Sequence, residues 1–215
     1  MRGFFVQKKT FICILKKNFL NFNLKLLLMN EVKIKRGQLL LSEPALLLGE
    51  NSFNRSVILL AEYTKDGTVG FILNKPLEFT IGDLITDINS NLTIYNGGPV
   101  EQDNLYFIHT VPNKIKNSIE ISTGIYWGGD FESLKTLLNA NKILKTEIRF
   151  FLGYTGWTKE QLQTEIKENS WLLIENKEKG NILTKPTSVF WKEKIEAQGG
   201  DYILFSNAPE NPILN

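Results

Sequence analysis

The chain has 215 residues, 42% hydrophobic and 22% charged, with a formal net charge of +2. That apolar share supports a full core and excludes an intrinsically disordered chain, and the length suits one domain with or without an extension. A single cysteine, Cys13, and a single histidine, His109, exclude an internal disulfide framework and leave too few ligands for a conventional zinc site, so no metal and no cofactor are expected, in a reducing, cytoplasmic compartment.

Charge is unevenly placed. Residues 1–28 carry six bases (Arg2, Lys8, Lys9, Lys16, Lys17 and Lys25) and no acid, so 19 of the 25 Lys and Arg face all 23 Asp and Glu in the remainder, a net of −4. An acidic domain repels phosphate backbones, and direct DNA binding is not expected. Lysines break the apolar clusters of 1–28 before any run nears the roughly 20 residues that span a bilayer, and no small-x-small cleavage site follows. No transmembrane segment is expected. The segment reads as an extension upstream of a true start at Met29, ahead of a basic membrane-surface anchor or a cleaved targeting peptide. Residues 29–215 read as a single domain, because no linker or repeat divides them.

In chain order, Gln38 to Leu41 and Leu46 to Leu48 read as strand pieces around Pro44. Ser56 to Glu62 and Thr68 to Leu73 flank Lys65-Asp66-Gly67, the signature of a β-hairpin. Thr80 and Asp83 have helix-start spacing, Phe79 and Leu84 could staple the start, and Leu84, Ile85 and Ile88 would share one face of a helix ending near Asn89 or Ser90. Ile94-Tyr95 leads into Asn96-Gly97-Gly98-Pro99, and Leu105 to Thr110 forms a strand carrying His109. Phe131, Leu134, Leu137 and Leu138 mark a helix that Asp130 can cap. Glu147 to Leu152 is a strand, and Gly153-Tyr154-Thr155-Gly156-Trp157 reads as a turn into the next helix. Thr158 and Gln161 have capping-box spacing there, and Trp157 and Leu162 staple spacing. Trp171 to Ile174 is a strand, Val189 to Gln198 a helix stopped by Gly199-Gly200, and Tyr202 to Phe205 a last strand.

Several blocks occur together: Gly37-Gln38-Leu39-Leu40, Phe53-Asn54-Arg55-Ser56-Val57, Gly70-Phe71-Ile72-Leu73-Asn74-Lys75-Pro76, Gly97-Gly98-Pro99-Val100, Ile108-His109, Leu152-Gly153-Tyr154-Thr155-Gly156-Trp157, Gln161-Leu162, Glu165-Ile166 and Trp171-Leu172. In this order, from Gly37 to Gly200, the chain resembles the YqgE/AlgH family of bacterial proteins, which are uncharacterised or described as transcriptional regulators. The resemblance implies an α+β fold, a mixed sheet bent into a pseudo-barrel with flanking helices, and no demonstrated activity. Lys75 stands where arginine is frequent, which keeps the charge but loses a bidentate fork.

No catalytic constellation emerges. His109 could serve as a general base, but no second group is tied to it by spacing, and Ser56 lacks the Gly-x-Ser-x-Gly elbow. Gly97 and Gly98 could offer N–H groups to an anion, although a turn needing glycine torsions explains them better. Tyr154, Trp157 and Gln161 sit at a strand-to-helix junction, a favoured ligand position, though packing and capping account for them. Arg55, Asn74 and Lys75 should meet at the open end of the hairpin and suit an anionic ligand or a partner. These nine residues form the candidate binding patch. The expected function is a non-enzymatic regulator acting through an unknown protein partner or small ligand, with weak homo-oligomerisation allowed. The alternative is a small-molecule hydrolase or phosphate-ligand sensor using His109 and the strand-end polar residues.

Overall fold

The computed structural model describes residues 33–43 and 53–207. The basic segment 1–28 and the expected strand piece Leu46 to Leu48 lie outside the described residues. From Ile34 onward the chain forms one compact unit.

The elements run β1 (Leu39–Ser42), β2 (Val57–Tyr63), β3 (Thr68–Ile72), β4 (Pro76–Thr80), α1 (Ile81–Leu84), β5 (Thr93–Asn96), β6 (Val100–His109), β7 (Ile119–Ser122) and β8 (Ile125–Trp127). Then come α2 (Phe131–Asn139), β9 (Ile148–Trp157), α3 (Lys159–Lys167), β10 (Trp171–Ile174), a 3₁₀ helix (Lys179–Thr184), α4 (Thr187–Glu196) and α5 (Tyr202–Phe205). The main strand path is β10-β1-β2-β3-β9-β6-β8-β7, with β5 joining β9 and β4 joining β5. All pairings are antiparallel except β5 with β9. The fold is therefore α+β with a mixed sheet. Among the described residues the path ends at β10 and β7 without pairing them to each other, so the sheet is not closed and the bend into a pseudo-barrel is not part of what the strand pairing shows.

Local chemistry explains several elements. The β2–β3 hairpin closes as expected, with Thr64 N donating to Gly67 O at 2.9 Å. Its far end is fastened by Asn74, whose Oδ1 accepts from Val57 N at 2.8 Å while its Nδ2 donates to Arg55 O at 2.8 Å. Asp130 caps α2 by accepting from Ser133 N at 3.1 Å. Strand alternation produces two apolar clusters. One gathers Leu39, Leu41, Leu59, Phe71 and Phe151 with Phe190 and Trp191 of α4, and the other gathers Ile94, Phe107 and Phe150 with Leu134 and Leu138 of α2.

Four expectations are corrected. The helix after Thr80 stops at Leu84. Gly82, a poor helix former, lies against the returning chain, its N–H donating to Ser90 O at 3.1 Å. Leu84 is 44% exposed while Ile88 is 2% exposed, so the expected common face does not form. Gly153 to Trp157 is no turn: β9 continues through it, with Gly153 at a φ of 69°, and β3 pairs Thr68 with Trp157, Val69 with Gly156 and Gly70 with Thr155. Tyr202 to Phe205 is a helical turn rather than a strand, closed by Ser206 N donating to Tyr202 O at 2.9 Å; a four-residue apolar run does not distinguish the two. Strands β4, β5, β7 and β8 are additional to those expected.

The Asn74 clamp predicts that Asn74→Ala, which orphans the N–H of fully buried Val57, lowers unfolding free energy by about 1–3 kcal/mol. Urea denaturation checks this, and an unchanged midpoint would show that the clamp contributes nothing.

Candidate functional site

Residues alternate across a strand, so Tyr154 faces one side of β9 while Thr155 and Trp157 face the other. Directly after Trp157, Thr158 starts α3. Its Oγ1 accepts from Gln161 N at 3.1 Å and its N–H donates to Gln161 Oε1 at 3.4 Å, the reciprocal pair that spacing predicts. Leu162, fully buried, holds the helix to the sheet. One turn past Gln161 comes Glu165. Its Oε2 accepts from the indole N–H of Trp157 at 2.9 Å and of Trp171 at 2.7 Å, and its Oε1 accepts from Gln161 Nε2 at 2.8 Å.

These contacts set the two indoles edge to face, with centroids 5.9 Å apart. Phe53 stands edge-on to Trp171 at 5.4 Å. Beside them opens a cleft of about 410 Å³, lined by Phe53, Asn54, Thr155, Trp157, Gln161 and Trp171 among others. Its size falls in the usual range for small-ligand sites. Thr155 is 1% exposed and its Oγ1 has no hydrogen-bond partner among the described residues. Such a group costs free energy unless something bonds to it.

Of the nine expected patch residues, Trp157 and Gln161 line this cleft, and Pro99, next to Gly98, reaches its rim. Gly97 N donates to Leu152 O at 2.8 Å and Gly98 N to Asn96 Oδ1 at 3.0 Å. Both N–H groups are thereby committed within the fold. Tyr154 packs on the opposite face, edge-on to Tyr106 with centroids 5.7 Å apart. Arg55, Asn74 and Lys75 gather at the hairpin end, where Arg55 lies 5.3 Å over the Trp191 ring and Lys75 O accepts from Asn96 N at 2.8 Å. His109 is fully buried. Its Nδ1 accepts from Val111 N at 3.2 Å, so the ring proton sits on Nε2, which donates to Gly128 O at 3.1 Å. Burial holds its pKa below the ordinary value.

Phe53, Asn54, Thr155, Glu165 and Trp171 complete the cleft without having been singled out as patch residues. The Gln161–Glu165 spacing carried a signal, since both fall on one helix face. The indole donors that draw Glu165 inward come from separate strands.

Thr155→Val keeps the shape and removes an unpartnered hydroxyl, so unfolding free energy should rise by about 1 kcal/mol in urea denaturation. For His109, the folded pKa lies below that of the unfolded chain, so the unfolded state takes up a proton first. Its stabilising contribution is complete above about pH 6.5 and is lost as pH falls through the folded value. Because the chain has one histidine, its imidazole NMR signals report this directly: the Nε2–H tautomer should persist at pH values where a free imidazole is already half protonated.

An AlgH-like family model matches residues 39–203. A UPF0301 protein of Bacteroides thetaiotaomicron is 40% identical over 189 residues, covering 86% of this chain and 94% of that protein. A UPF0301 protein of Chlorobaculum parvum is 38% identical over 183 residues, covering 85% and 96%. Among solved structures, the crystal structure of DIP2367 from Corynebacterium diphtheriae shares the fold with a TM-score of 0.67 at 20% identity, covering 84% of this chain and 95% of that one. The solution structure of AlgH from Pseudomonas aeruginosa does so with a TM-score of 0.63 at 19% identity, covering 84% and 98%. With the family model spanning most of the chain and relatives matched over nearly their full length, the chain belongs to the AlgH-like, UPF0301 family.

Proposed function

We propose that this chain is a cytoplasmic regulatory protein of the AlgH type that works by binding, taking a small ligand or a segment of a partner protein into the Trp157–Trp171 cleft. The observation that carries this reading is Thr155, which lines a cleft walled by aromatic side chains and whose buried Oγ1 has no partner among the described residues. The guest this chemistry suits has an apolar face for Phe53 and the indoles and one hydrogen-bonding group for Thr155. Three donors already converge on Glu165, which marks that side chain as an acceptor and disfavours an anionic guest.

Chemistry on the guest is not part of the reading. His109, the one candidate base of its type, has both ring nitrogens engaged by backbone and does not line the cleft. DNA reading is also left aside, because the chain beyond residue 28 carries a net −4 and phosphate neutralisation dominates duplex affinity. Among the described residues, no helix is long and apolar enough to cross a membrane.

Affinity capture with the full chain tests the proposal, read by mass spectrometry for proteins and small molecules. One component should be retained by the wild type and lost by Asn54→Trp, which crowds the half-buried rim, with circular dichroism confirming the fold. Retention independent of Asn54, or turnover of a captured metabolite, would overturn it.

A further inference from the structure

A second cavity lies elsewhere in the domain. Arg149 stands on β9 and is only 5% exposed. Its Nη1 donates to Leu73 O at 2.7 Å and its Nη2 to Leu183 O at 2.8 Å, and its guanidinium lies 4.6 Å from the Tyr95 ring centroid. A guanidinium has five N–H donors, so two carbonyls leave it under-satisfied. No carboxylate pairs with it among the described residues; their ion pairs join other side chains. A buried charge without a counter-ion is costly, and arginine, unlike lysine, cannot escape the cost by losing its proton.

The cavity beside it measures about 190 Å³ and is lined by Arg149, Tyr95, Lys145, Thr93, Thr146 and Thr184, among others, with no acidic residue. It is too small for a drug-sized ligand. Two cations and several hydroxyls around a small space suit a compact tetrahedral dianion better than a singly charged group. We propose that this cavity binds a phosphate group, free or carried as a monoester of a small alcohol, with Arg149 as its buried counter-ion and Lys145 closing the exposed side. The site is separate from the cleft and from His109, and it does not depend on the cleft's reading.

The test is titration of the ¹⁵N-labelled full chain with inorganic phosphate and, separately, with glycerol 2-phosphate, against sodium chloride at matched ionic strength. Saturable shifts of the Thr93 and Thr146 amides and of the Arg149 side-chain N–H are expected with phosphate and not with chloride. Tighter binding of the ester would identify a phosphorylated metabolite, and tighter binding of the free ion would identify inorganic phosphate; either supports the site. Arg149→Met could disturb folding through Leu73 and Leu183, so the variant to use is Lys145→Glu at an exposed position, which should weaken phosphate at least about tenfold. Shifts that chloride reproduces, shifts unaffected by Lys145→Glu, or no saturable shift would overturn the proposal.

Discussion

The domain depends on one close crossing of backbone. A Cβ built on Gly97 would lie 2.1 Å from Gly153 O, and one on Gly98 would lie 2.3 Å from Tyr154 C and O. Only glycine allows two chains this near each other. At this crossing β9 exchanges partners. Its first half pairs with β5 at Ile94 to Asn96, and its second half pairs with β3 at Thr68 to Gly70. Gly153 makes the change with a φ of 69°. Gly97 ties the crossing to the first half by donating to Leu152 O.

The candidate site lies directly beyond this crossing. Once β9 is committed to β3, alternation sends Tyr154 to the main core and Thr155 and Trp157 to the face beneath α3. The capping box at Thr158 then fixes where α3 begins, and Glu165 meets both indoles two turns later. The result is a hydrogen-bonded aromatic wall that includes Thr155, whose buried Oγ1 has no partner among the described residues. Other polar groups are tied into the fold: both ring nitrogens of His109 meet backbone groups, and Arg149 joins Leu73 to Leu183.

Features set by neighbouring residues were legible in the sequence. The hairpin turn at Asp66-Gly67, the Asp130 cap and the Thr158–Gln161 box each depend on contacts a few residues apart. The meeting of Arg55 and Asn74, 19 residues apart, was legible too, because it rests on hairpin arms of similar length. Longer-range features were hidden. Gly153 and Gly156 look locally like turn residues, and only distant partners, β6 on either side of Gly153 and β3 at Gly156, make this segment strand. The Arg149 contacts to Leu73 and Leu183 span 76 and 34 residues, so nothing near Arg149 signals its burial. Glu165 reads as a solvated helix residue until Trp157 and Trp171, from different strands, are placed on either side of it. For His109 the isolation was visible but its burial was not.

The crossing can be tested by adding one methyl group. Gly97→Ala should cost at least about 2 kcal/mol in urea denaturation, as expected for forcing an atom into close-packed backbone. It should also shift the indole N–H resonances of Trp157 and Trp171, although neither touches position 97 through a side chain. A wild-type unfolding midpoint with unmoved indole resonances would contradict the account, since the cleft would then not depend on how β9 is held.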